Sequence, residues 1–93
     1  MRDAAQYGEE LLELIEQAID GDLPRDEFQK LLRQTVYTSL ESTFRRGAKI
    51  PPGDNLFPVE RIALEGILTN HEVSINRMTD ELYRAIELQR LTR

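Results

Sequence analysis

The chain has 93 residues, a net charge of −5 and no cysteine, so it is the length of one domain and cannot form a disulfide, a thiolate metal site or a thiol nucleophile. Its start lacks a basic region followed by an apolar core, and its apolar runs fall far short of the roughly 20 residues that a membrane span needs. We therefore expect a soluble cytoplasmic protein.

Residues of about 3–20 predict an amphipathic helix. Its leucine and isoleucine side chains share one side of a helical wheel, while most of its acids share the other. Gly21 follows directly and is placed to end the helix in a left-handed conformation. One side of this helix is therefore expected to pack against the rest of the chain.

A second helix is predicted over about 24–46. Pro24 is preorganised for a first turn, and apolar residues then recur every four positions, at Phe28, Leu32, Val36, Leu40 and Phe44. A four-residue step drifts about 40° against the helical repeat, so this stripe winds around the helix and suits a neighbour that crosses at an angle. Gly47 is predicted to end the helix.

Residues 47–57 predict a proline-rich connector. Pro51 and Pro52 favour extended backbone, and turn-forming residues follow them. Asp54 or Asn55 is placed to cap the next helix. The main role predicted for this segment is to set the angle at which the next helix leaves.

Residues of about 58–91 read as helix, with one apolar line along it formed by Leu64, Leu68, His71, Ile75, Met78, Leu82 and Ile86. A second apolar line runs along another side between residues 59 and 73, so we expect that part to be the buried centre of the structure. The sequence TNHE, at Thr69 to Glu72, fits a capping box. It therefore stays open whether 58–91 is one helix or two that break near residue 70.

Length predicts an interface. A helix of residues 58–91 is about 50 Å long, whereas the first two helices reach only about 27 and 35 Å. The shorter pair cannot cover the long helix, so we expect part of its apolar line to contact a second copy of the chain or another protein. Two apolar connector residues are placed either to tuck against the helix or to enter a partner's groove. The predicted partner interface comprises Ile75, Met78, Leu82, Ile86, Leu56 and Phe57.

Charge is unevenly distributed and supports an alternative. Residues 1–24 carry seven acids and one base, whereas residues 25–50 carry six bases and three acids. The bases of interest are Lys30, Arg33, Arg45, Arg46 and Lys49. They are interpreted either as complements to the helix end and to the acidic first helix, or as contacts for an anion or a nucleic acid.

Catalytic chemistry is not expected. His71 is the only histidine, and it falls on an apolar line, which favours a packed or interface residue. No phosphate loop or nucleophile elbow is present, so we expect no catalytic residue, no cofactor and no metal.

We therefore predict an all-α fold, a small bundle of three or four helices with a long C-terminal helix, completed by self-association. The predicted function is a non-enzymatic helical protein-interaction module, acting as a homodimer or as a small subunit of a larger assembly. The alternative is a nucleic-acid-binding regulator or nucleoprotein subunit that uses the basic segment 30–49.

Overall fold

A computed structural model describes residues 4–92, and in that range the chain is helical with no strand. The four helices are α1 (Ala4–Asp20), α2 (Arg25–Ala48), α3 (Pro58–Asn70) and α4 (Glu72–Leu91). The predicted all-α bundle is confirmed, and the helix boundaries agree with prediction to within about two residues. Residue 3, the predicted start of the first helix, lies outside the described range.

The long C-terminal helix is bent at His71, where α3 passes into α4. The backbone N–H of His71 donates to Leu68 O at 3.1 Å, a tightened turn, while Ile75 N already donates to His71 O at 2.9 Å. The helical path is thus almost continuous, with a break beside the predicted position. The predicted capping box is wrong, because the N-cap of α4 is His71 and no side chain caps that end.

Neither glycine predicted to end a helix has a left-handed conformation. Asp22, one residue after Gly21, has φ 51°, and Lys49, two residues after Gly47, has φ 58°. At the second site Lys49 N donates to Arg46 O and Ile50 N donates to Arg45 O. This pair of bonds satisfies the last carbonyls of α2, so the helix runs through Gly47 to Ala48 before it closes.

The connector is held against α2 by Arg45. Its guanidinium donates to Pro51 O at 3.2 Å and to Asp54 O at 2.8 Å. Asp54 and Asn55 do not cap α3; the N-cap residue is Phe57, whose N–H donates to the Glu60 carboxylate at 2.7 Å. The connector therefore turns at the predicted residues, with Asp54 N donating to Pro51 O at 3.3 Å, whereas the predicted cap of α3 is wrong.

Three helices build the core. α2 runs antiparallel to α4, and α1 packs against both, whereas α1 does not contact α3 among the described residues. Phe28 and Leu32 are fully buried between the helices. The core cluster consists of Leu14, Ala18, Phe28, Leu32, Val36, Ile75, Tyr83 and Ile86, and no residue of α3 belongs to it. The bundle thus occupies one half of the molecule, whose longest dimension is 49 Å, and α3 extends from it along the second half of α2.

Polar side chains fix the register of α2 against α4 along one edge of the pair. Gln29 donates to Asn76 Oδ1 at 2.6 Å, and Arg33 Nε lies 3.3 Å from Glu72 Oε1. Further along the same edge, Arg25 pairs with Asp80 and the Tyr37 hydroxyl donates to Glu72. From Arg25 to Arg33, each step of four residues along α2 is thus met by a step of four back along α4, and a one-residue slip would break these pairs.

The burial of Tyr7 is expected to make the stability of the fold depend on pH. Tyr7 packs against the core, and its burial raises the pKa of its phenol above the ordinary value of 10.0. The folded state disfavours the phenolate, so this stabilisation is complete below the unfolded pKa and is lost as pH rises through the folded pKa. We expect urea midpoints to fall above about pH 10, and to fall less in Tyr7→Phe. Equal losses in both proteins between pH 9 and 11 would contradict this expectation.

Candidate protein-docking surface

The candidate site is the side of α3 that faces away from α2. Leu64 is the only buried residue of α3, and α3 packs along α2. Opposite it, an outer stripe follows the helix at alternating steps of three and four residues. The outer stripe consists of Val59, Ile62, Gly66, Thr69 and Val73, the last in the first turn of α4.

All residues of the outer stripe are exposed to solvent. Val59, Ile62 and Val73 keep 74%, 69% and 68% of their surface accessible, and Ala63 beside them is exposed as well. Burying an aliphatic side chain of this size contributes about 1.5–3 kcal/mol, so leaving three of them in water forgoes several kcal/mol. The alternating spacing is that of a helix surface that packs along another helix.

The expectation for residues 59–73 was wrong. An apolar surface over more than half of the circumference predicted the buried centre of the structure, but α3 buries one residue whereas α4 buries four. α1 is the third helix needed to surround this segment, and it packs beside α4 instead. The apolar side chains predicted along residues 59–73 are therefore present, but α1 does not cover them.

The predicted seam is part of the core. Ile75 and Ile86 are 1% and 2% exposed and lie between α1, α2 and α4, while Met78 and Leu82 are partly buried against them. The premise that this chain cannot cover the 75–86 segment is thus wrong, because the two shorter helices both pack on α4. The part of the C-terminal region that α1 does not cover is instead α3.

The two connector residues of the predicted interface differ. Leu56 is half-buried, in agreement with a residue that tucks against the chain, whereas Phe57 is 73% exposed. Phe57 begins α3, so its ring adds to the apolar surface at that end of the molecule. Of the six predicted interface residues, Phe57 alone is fully available to a partner.

The five predicted basic contacts do not form one surface. Arg33 pairs with Glu72, and Arg45 is bound to Glu41 and to connector carbonyls, with its side chain 15% exposed. Arg45, Arg46 and Lys49 line a groove of about 740 Å³ between the end of α2 and the connector. Lys30 lies about 28 Å from Lys49 along α2. Of the five residues predicted to contact an anion, only Arg45, Arg46 and Lys49 therefore lie together, at this groove.

His71 lies at the bend and is half-buried. Its Nδ1 is 2.8 Å from Ile67 O, which accepts a hydrogen bond from the ring. A histidine placed this way stabilises the tightened turn, in agreement with the packed role that its position on the apolar line predicts.

Sequence reasoning missed the contacts of Arg90. Its guanidinium donates to Ala18 O, to Leu23 O at 2.7 Å and to the Tyr83 hydroxyl at 3.0 Å. Ala18 and Leu23 are remote from Arg90 in sequence, so no local pattern predicts these two contacts. The arginine neutralises the carbonyl end of α1 and joins it to the last turns of α4.

Within residues 4–92, no helix combines the length and apolarity required to cross a bilayer, and no group of three or more histidine or acidic side chains is arranged to hold a metal ion. The chain matches no known protein family, no curated protein and no solved structure.

Proposed function

We propose that this chain is a cytoplasmic, non-enzymatic module that binds another protein through the outer stripe of α3. The observation that carries the proposal is the exposure of Val59, Ile62 and Val73 along one side of α3 and the first turn of α4. Isolated exposed apolar residues are ordinary, but a row of them at helical spacing is typical of a surface that another molecule covers.

The spacing indicates the type of contact. Steps of three and four residues keep a stripe straight along a helix, which suits a partner helix at a shallow crossing angle. α3 is presented as a rigid support for such a contact. Arg45 holds its connector, Glu60 caps its first turn, and the helix packs along α2 with Leu64 buried.

The non-enzymatic part of the proposal rests on composition. A chain with one histidine and no cysteine lacks the parts for most acid–base and covalent schemes. The single histidine is also bonded to a backbone carbonyl through Nδ1.

The test is capture of partners from cells of the native source with tagged chain as bait. Ile62→Glu places a charge in the centre of the outer stripe, and we expect it to reduce the recovery of specific partners by at least about tenfold. Helix content should stay unchanged, because Ile62 is exposed and makes no core contact.

A matched control is the same kind of exchange at Leu12. This leucine is 61% exposed on α1, well away from α3, so Leu12→Glu should leave capture intact. Recovery of the same partners in equal amounts with all three baits, or of no specific protein with any of them, would overturn the proposed docking surface.

A further inference from the structure

We propose that the outer stripe of α3 docks against the outer stripe of a second copy of this chain, with the two helices antiparallel. This inference rests on the proposed function and names its partner. Two features of α3 match a second copy after a twofold rotation. One is a pair of opposite charges, and the other is a glycine that leaves space for an apolar side chain of the other copy.

The charged pair is Arg61 and Glu65, which lie one turn apart on the same flank of the outer stripe. Both are exposed, and neither has an ion-pair partner among the described residues. A twofold axis perpendicular to two antiparallel helices places the same flank of each copy on the same side. With the axis near Ala63, Arg61 of each copy then faces Glu65 of the other.

A parallel pair lacks this complementarity. There, the flank with Arg61 and Glu65 would face the opposite flank of the other helix, where Ala63, Ile67 and Asn70 carry no charge. The charges of α3 thus favour the antiparallel arrangement, which forms two ion pairs.

Gly66 is the second self-complementary feature. It lies inside α3, where glycine disfavours helix relative to alanine, yet a Cβ added to it meets nothing within 4 Å. Packing within the chain therefore gives no reason for a glycine. In the antiparallel pair with its axis near Ala63, the Ile62 side chain of one copy lies between Ile62 and Gly66 of the other, and the missing Cβ of Gly66 leaves space for it.

The contact is small, since 13 residues of helix extend about 20 Å. The surface that a helix of this length buries against a second helix falls at or below the low end of the range for specific interfaces, about 1,200 Å². Association through such a small interface is weak and reversible. We expect a dimer with a dissociation constant on the order of 10–100 μM.

Sedimentation equilibrium from about 5 to about 500 μM tests the dimer, because this range brackets the expected dissociation constant. The wild-type chain should pass from monomer to dimer. Arg61→Glu and Glu65→Arg should each weaken the dimer at least about tenfold, because like charges then face one another. A 1:1 mixture of these two variants should form a heterodimer with an affinity close to that of the wild-type dimer. The double variant should form a homodimer of similar affinity.

Gly66→Gln provides a second readout. The new side chain enters open space in a helix, so the melting temperature of the monomer should stay equal or rise, while the dimer is lost. A wild-type chain that stays monomeric at the highest concentration, or a mixture of charge variants that does not associate, would overturn the second copy as partner. If capture from cells still depends on Ile62, the proposed function survives that result; if it does not, both fail.

Discussion

Phe28→Ala should lower the free energy of unfolding by about 3–5 kcal/mol, a large part of the roughly 5–15 kcal/mol that holds a small domain folded. Phe28 is fully buried, and its ring centroid lies 5.7 Å from that of Tyr83, where α2 meets α4. Truncation leaves a cavity between α2 and α4. Because polar contacts hold these two helices in register, we expect them not to close the cavity. Urea unfolding followed by circular dichroism measures the loss.

The matched control for Phe28→Ala is the same exchange at Phe57. This second phenylalanine is 73% exposed, so its truncation should change the free energy of unfolding by no more than about 0.5 kcal/mol. If the two variants were equally destabilised, the assignment of the core to the half of the molecule built by α1, α2 and α4 would be wrong.

Helical periodicity predicted the elements of this fold well because it records burial along one element at a time. The four-residue stripe of α2 begins with Phe28, Leu32 and Val36, which are buried in the core as expected. Leu40 and Phe44 continue the same stripe but are only half-buried. Periodicity marks all five residues alike, whereas burial depends on where the neighbouring helices end.

The same limit explains the inverted assignment along the C-terminal helix. Residues 59–73 have the broader apolar surface and 75–86 the narrower seam, so the broad part was expected inside. The tight turn after α1 instead directs α1 and α2 along the narrow seam, where Ile75 and Ile86 are buried. Which half of a long helix is covered depends on tertiary pairing, and apolar width does not report it.

Local signals at the C-terminal ends of α1 and α2 were correct in kind and displaced in position, whereas the N-caps predicted for α3 and α4 were wrong. A left-handed residue does close α1 and α2, but Asp22 and Lys49 adopt it while the nearby glycines stay in ordinary conformations. Helix length is set by packing and by the last carbonyl contacts, so a glycine a residue or two before the end is simply included in the helix.

Arg90 makes the contacts on which we expect the largest polar effect. Its guanidinium donates to the Leu23 carbonyl at 2.7 Å, to the Ala18 carbonyl and to the Tyr83 hydroxyl, and lies 5.3 Å from the centre of the Tyr83 ring. It also lies 3.6 Å from the Asp22 carboxylate, with its side chain 19% exposed. One side chain thus joins the end of α4 to the turn between α1 and α2.

Arg90→Met keeps most of the apolar stem and removes the donors, and we expect it to lower the free energy of unfolding by about 1.5–3 kcal/mol. For a domain of this size that corresponds to a fall in melting temperature of at least about 6 °C. Arg90→Lys should behave more like Arg90→Met than like the wild type, because an ammonium group cannot reach partners spread around a planar guanidinium.

The reference is Arg84→Met, an exposed arginine on the same helix, which should change stability by no more than about 0.5 kcal/mol. Because the Arg90 contacts are mostly shielded from solvent, the difference between the two methionine variants should persist in about 1 M salt. A difference that disappears in salt would show that Arg90 acts as a surface charge rather than as a link between the helices.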